Sequence, residues 1–134
     1  MRTCRCIGNR QLIGDLETDA FGPVAEAEVC VIGAGPAGIS LALELAERSR
    51  DVILLESGGE SFDVRTQTLY DGHNIGRDYY NLTYDRVRYL GGTSHHWGGW
   101  WVPLQPVVRL ERSWVPNSGW PLTWDELNTY YDRA

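Results

Sequence analysis

The sequence predicts an α/β fold built on parallel strands, and three observations predict it. A short apolar run, Val29-Cys30-Val31-Ile32, meets a glycine-rich turn, Gly33-Ala34-Gly35-Pro36-Ala37-Gly38. An amphipathic stretch follows the turn. A second apolar run, Val52-Ile53-Leu54-Leu55, then closes on an acid, Glu56. Strand, turn, helix, strand and acid is the order of a Rossmann-like βαβ unit, whose turn takes the pyrophosphate of a dinucleotide and whose acid takes the ribose.

Each element has a physical reason. Gly33 permits a sharp turn out of the first strand. Gly35 lets the backbone approach phosphates, and Gly38 lets the helix pack close to the strand. The N–H groups near Ala37 and Gly38 face an anion along the positive end of the helix dipole. Pro36 suits the first helical position, where an N–H would lack an intrahelical partner anyway. Ile39, Leu41, Ala42, Leu45 and Ala46 form an apolar face at helical spacing, with Glu44, Glu47, Arg48 and Arg50 on the wet side. Val52 to Leu55 reads as a strand covered on both faces, and Cys30 as a small core residue. Glu56 follows the glycines at close to the roughly 20-residue separation of a ribose-binding acid. Its carboxylate would repel a 2′-phosphate, which disfavours NADP. The flanking strands matter, because 15 glycines in 134 residues make chance glycine patterns easy.

Composition narrows the classes. A hydrophobic content of 43% supports a packed core, and no run reaches the roughly 20 apolar residues of a membrane span. A formal charge of −6 with no basic block argues against a nucleic-acid partner. Arg2, Arg5 and Arg10 precede no apolar stretch, so no signal peptide is read. Cys4, Cys6 and Cys30 make no metal-ligand pattern. A cytoplasmic protein without a bound metal is the expectation.

Residues 1–25 read as a leader arm with a turn near Gly22-Pro23, and 26–134 as a partial dinucleotide-binding domain. Ser57-Gly58-Gly59 ends the βαβ unit, and 60–85 read as irregular surface chain. Arg86-Val87-Arg88-Tyr89-Leu90 alternates polar and apolar residues, as in a short strand. Near the end, Thr123 with Glu126 fits a capping box and Leu122 with Leu127 a hydrophobic staple. Leu127, Tyr130, Tyr131 and Ala134 share one helical face. A helix that stops on its apolar stripe, without a terminating signal, reads as cut short, so a fragment is expected.

A second unusual segment runs Gly91-Gly92-Thr93-Ser94-His95-His96-Trp97-Gly98-Gly99-Trp100-Trp101. It suits a loop lying along a flat cofactor, with N–H groups near an atom that gains electron density. It suits equally a tight surface loop anchored by tryptophans in a core. Adjacent histidines diverge and do not form a helical metal pair.

Together these segments resemble the N-terminal portion of the glucose–methanol–choline (GMC) oxidoreductases. The residues that carry the resemblance are Val31 to Gly38, Leu54 to Gly59, Leu90 to Gly99 and Gly119-Trp120-Pro121-Leu122, and it runs from about Glu26 to the last residue. The nearest look is to pyranose oxidase-like members and bacterial sugar and polyol dehydrogenases. The resemblance implies FAD, with Gly33, Gly35 and Gly38 at its pyrophosphate and Glu56 at its adenosine ribose. Gly92, Thr93 and Ser94 would run beside the pyrophosphate and the flavin. His96, followed by Trp97, matches the position of the covalent flavin bond in pyranose oxidase-like members, a bond that many members lack. Pro36, Ala37, Ser57, Arg88 and Gly98 complete the candidate cofactor-binding set.

The implied chemistry is oxidation of an alcohol or sugar hydroxyl by hydride transfer to flavin N5, with a histidine base. In that family the base lies near the C-terminus, so His73, His95 and His96 are not assigned to it and no catalytic residue is expected in this chain. The family's FAD domain is also discontinuous, which implies an incomplete sheet here. At Pro106-Val107-Val108-Arg109 many relatives carry Asp-Phe after the turn. Substrate, electron acceptor (oxygen, a quinone or a haem partner) and oligomeric state stay open. Two other readings are a small NAD-binding module, which leaves the Gly91 to Gly99 loop unexplained, and a non-enzymatic remnant that binds nothing.

Overall fold

The computed structural model describes residues 13–18 and 25–133. Of the leader arm, Cys4, Cys6, the three arginines and Gly22-Pro23 lie outside the described residues. The chain divides into two compact units, Met1–Gly98 and Gly99–Ala134.

The first unit is built on β1 (Val29–Ile32), α1 (Pro36–Glu47) and β2 (Val52–Leu55). The strands pair in parallel from Val29↔Val52 to Ile32↔Leu55. Parallel neighbours need a crossover rather than a tight turn, and α1 is that crossover. The helix begins as expected, with Gly35 at the N-cap and Pro36 at its first position. It ends in a Schellman arrangement. Ser49 is left-handed at φ 58°, its N–H reaches Ala46 O at 2.9 Å, and the Arg50 N–H reaches Leu45 O at 3.0 Å.

The helix covers one sheet face, the side of buried Val31. The opposite face is open among the described residues. Cys30 is exposed there and Ile32 is 81% exposed, so the expectation of a core cysteine is corrected, whereas Val52 to Leu55, expected to be covered on both faces, are all half-buried. A two-stranded sheet with one helix can shield only one side. The helical stripe is also narrower than its sequence suggests. Ile39, Ala42 and Leu45 are half-buried, whereas Leu41 and Ala46 are exposed. Glu44, expected on the wet side, is half-buried and pairs with Arg48 at 3.7 Å.

Residues 60–85 are more ordered than expected. Asp63 caps α2 (Val64–Gln67) by accepting the Thr66 N–H at 3.0 Å, a 3-10 turn spans Thr68–Tyr70, and Asn81 caps α3 (Leu82–Asp85) through the Thr83 N–H at 3.0 Å. The strand expected over 86–90 does not form. Its backbone groups bond to the side chain of Gln67 and to scattered loop partners, so no ladder exists to hold it as a strand.

The second unit contains α4 (Pro106–Arg109) and α5 (Trp124–Tyr131). The Thr123–Glu126 capping box forms in both directions. Leu127 and Tyr131 are half-buried, but Tyr130 and Leu122 are exposed, so the apolar stripe is only partly used; Ala134 lies outside the described residues. Arg109 is buried with its guanidinium 4.5 Å from the Trp124 ring centre.

Candidate functional site

Three segments of the first unit meet at the carboxyl end of the two strands: the glycine turn 33–38, the tip of β2 at 56–59, and the loop 88–96. The turn is shaped by its glycines. Gly33 takes φ +99°, and its N–H donates to Leu55 O at 2.7 Å. A Cβ on Gly38 would run into the Gly33 carbonyl, whereas a Cβ on Gly33 or Gly35 would meet nothing within 4 Å. Gly38 is therefore demanded by helix–strand packing. Gly35 is not demanded by packing at all, and it faces open space. Its N-cap position offers no side-chain acceptor, so the first N–H groups of α1, those of Ala37 and Gly38, lack the carbonyl partner that later turns provide.

Ala34, only 1% exposed, is the meeting point. Its N–H donates to Glu56 Oε2 at 2.7 Å, and its carbonyl accepts the Gly91 N–H at 2.8 Å. Glu56 Oε1 accepts from Ser57 N–H (2.9 Å), Ser57 Oγ (3.2 Å) and Gly58 N–H (3.0 Å). Oε2 accepts the one bond from Ala34, which leaves it a lone pair for a further donor such as a ribose hydroxyl. Burial pushes the Glu56 carboxyl up, but the N–H groups of Gly58, Ala34 and Ser57 and the Ser57 hydroxyl outweigh it and hold the group below the usual glutamate value. It is ionised at neutral pH, with its charge spread over the turn.

The loop is laced to both other segments. Leu90 N–H reaches Gly59 O at 3.0 Å. A Cβ on Gly92 would sit 3.3 Å from Gly35 Cα. Arg88 Nη1 donates to Ser57 Oγ at 2.9 Å, and its guanidinium lies 4.0 Å from the Tyr70 ring centre, while its Nε is buried without a partner among the described residues. Gly58, read in the sequence only as turn material, has a packing role: a Cβ there would run into the Arg88 carbonyl.

The segment expected as an open loop begins as a 3-10 helix over Gly92–His96. Ser94 Oγ donates to Gly91 O at 2.7 Å, and Thr93 Oγ1 accepts the Val87 N–H at 3.4 Å. The two histidines differ. His95 stacks on Tyr89, ring centres 4.5 Å apart, and its Nε2 lies 2.7 Å from Leu90 O. His96 is exposed. Trp97 is exposed, as are Trp100 and Trp101, so tryptophans do not anchor this segment in a core among the described residues.

Of the candidate residues, Gly33, Gly35, Pro36, Ala37, Gly38, Glu56, Ser57, Arg88, Gly92, Thr93 and Ser94 are brought together, while His96, Trp97 and Gly98 follow at the exposed end of the loop. Gln67, buried and bonded to the segment before the loop, carries no sequence signal, since a glutamine in a polar stretch reads as surface. No group of His, Cys, Asp and Glu suited to a metal exists among the described residues, and none of their helices is long and apolar enough to cross a membrane.

These residues fit a dinucleotide. Two glycines face open space, free N–H groups line a helix start, and an anchored carboxylate keeps a free lone pair beside them. The model of the FAD dependent oxidoreductase (DAO) family matches residues 28–128, and the chain belongs to that family. It is similar to 2-methyl-1,2-propanediol dehydrogenase of Mycolicibacterium austroafricanum, with 28% identity over 129 residues, covering 81% of this chain and 23% of that protein. A shorter stretch of 48 residues is 46% identical to the probable oxidoreductase OrdL of Haemophilus influenzae, covering 36% of this chain and 11% of that protein. The chain thus spans less than a quarter of the length of these curated relatives. No solved structure gives a significant match.

Proposed function

We propose that this chain is the FAD-binding N-terminal portion of a GMC-type oxidoreductase that oxidises an alcohol or sugar hydroxyl. The observation that carries the reading is the docking of the Gly91-Gly92 turn on Ala34 and Gly35. The matching family is FAD dependent, and a second glycine loop laid against the first extends the surface beyond the pyrophosphate, where the large isoalloxazine ring would lie. The dehydrogenase among the relatives is named for a diol, which agrees with an alcohol substrate.

In this reading the N–H groups of Ala37 and Gly38 hold the pyrophosphate at the helix start. Glu56 Oε2 accepts a ribose hydroxyl, and its charge excludes a 2′-phosphate. Gly92, Thr93 and Ser94 continue along the cofactor toward the flavin. Bound FAD supplies the hydride acceptor at N5; the base that takes the hydroxyl proton belongs to sequence outside this chain. Covalent attachment, where it occurs, falls on His96, because His95 is committed to Tyr89 and Leu90.

Equilibrium dialysis against FAD and NAD tests the proposal. FAD retained and NAD lost is the expected result, and preference for NAD refutes it. Denaturing the flavin-loaded full-length protein tests the attachment, since colour released wholly into the supernatant excludes a bond at His96.

A further inference from the structure

The geometry points to Gln67 as a positioning residue for the FAD cradle, acting through Arg88; this rests on the reading of the cradle as an FAD site. Gln67 closes α2 and is only 6% exposed. Its Nε2 donates to Thr83 O at 2.7 Å and to Arg86 O at 2.5 Å, and its Oε1 accepts the Arg88 N–H at 3.1 Å. A primary amide offers two N–H donors and a carbonyl, and here all are used. The amide's orientation follows from its partners, since the reverse would set oxygen against two carbonyls.

Segment 86–90 has no neighbouring strand among the described residues, so this one side chain supplies what a strand partner would. Arg88 is the residue whose placement matters. Its N–H is held by Gln67, and its guanidinium reaches Ser57 Oγ, which in turn donates to the Glu56 carboxylate at 3.2 Å. Two residues further on, Leu90 and Gly91 dock on Gly59 and Ala34. Loss of the amide leaves three part-buried backbone groups without this partner, and the segment must shift to satisfy them. That shift moves both the hydroxyl beside Glu56 and the register of the Gly91-Gly92 turn. The structure shows no bond from Gln67 to Glu56 or to the turn, so its influence runs through Arg88.

Two variants test the role in the full chain. Gln67→Met keeps length and bulk without the hydrogen bonds. Gln67→Glu keeps the acceptor for Arg88 and loses the donation to Thr83 and Arg86. FAD titration and the unfolding temperature of the cofactor-free protein are measured for each. The FAD dissociation constant is expected to rise at least about tenfold in Gln67→Met, as when a partner that orients a binding group is removed. Gln67→Glu, which sets a carboxylate oxygen against the Thr83 and Arg86 carbonyls, should weaken FAD binding at least as far, and the visible absorption of bound flavin should shift in both. A lowered unfolding temperature with an unchanged dissociation constant assigns Gln67 a purely structural role and overturns the proposal. Should Gln67→Met fail to fold, Gln67→Glu decides by the same readouts. A wild-type chain that binds no FAD refutes the parent reading instead.

Discussion

The Gly91 N–H donates to the Ala34 carbonyl across 2.8 Å, joining the two glycine-rich segments of the first unit into one surface. Gly91 can do so because it sits at φ +89°, and a Cβ there would lie 2.5 Å from His95 Nε2. Gly91→Ala is expected to be destabilised by at least about 1–2 kcal/mol, the cost of forcing a side chain into the left-handed region. FAD affinity should fall with it. Chemical denaturation and FAD titration of the same variant check both effects.

Gly38 and Gly35 separate packing from binding. A Cβ on Gly38 collides with the Gly33 backbone, so Gly38→Ala should lose about 1–3 kcal/mol of stability through overpacking. Gly35 has room and an ordinary extended φ of −78°. Gly35→Ala should stay within about 1 kcal/mol of wild-type stability, the cost of a poorer N-cap. Its FAD affinity should nevertheless drop sharply, because the methyl occupies the space a phosphate would approach. Unfolding curves paired with FAD binding for both variants distinguish the two roles.

Glu56 gives a pH signature. Its folded-state pKa lies below the ordinary value, so its contribution to stability is complete above the unfolded-state value of about 4.3 and is lost as pH falls through the folded-state value. Glu56→Gln should flatten the acid limb of stability that begins near that value. At neutral pH the variant should lose about 1–3 kcal/mol for leaving turn N–H groups short of an acceptor, toward the lower end because the group is partly solvated. Denaturation midpoints between about pH 3 and 7 measure this.

Ser49 is strained where glycine is the usual choice. It occupies the left-handed position after α1 at φ 58°, and both carbonyl contacts of the motif are already made. Ser49→Gly is expected to raise stability by roughly 0.5–1 kcal/mol and to leave FAD affinity unchanged. Thermal unfolding reads the first, titration the second.

The βαβ unit was legible because its signals are local: strand runs, Pro36 at the helix start, and an acid at the right distance. The same holds for the capping box of α5. The Arg86–Leu90 strand was misread because alternation reports a period and not a partner. Gln67 takes the partner's place, and nothing in a polar stretch marks a glutamine for burial. Cys30 reads as core because apolar runs reveal hydrophobicity; whether a second layer covers it depends on residues elsewhere. In the site, Gly33, Gly35, Gly38 and Glu56 could be read from spacing. The contact of Gly58 with Arg88, and the different settings of His95 and His96, required coordinates.

The central claim is that the glycine turn, Glu56 and the docked loop form one cofactor surface. Amide chemical shifts recorded while FAD is titrated test it most directly. Gly35, Ala37, Gly38, Gly58, Gly92 and Thr93 should shift together with one dissociation constant, and ADP alone should move the turn and the tip of β2 more than Thr93 and Ser94. Shifts confined to other residues, or a turn and loop that respond with different constants, would contradict it.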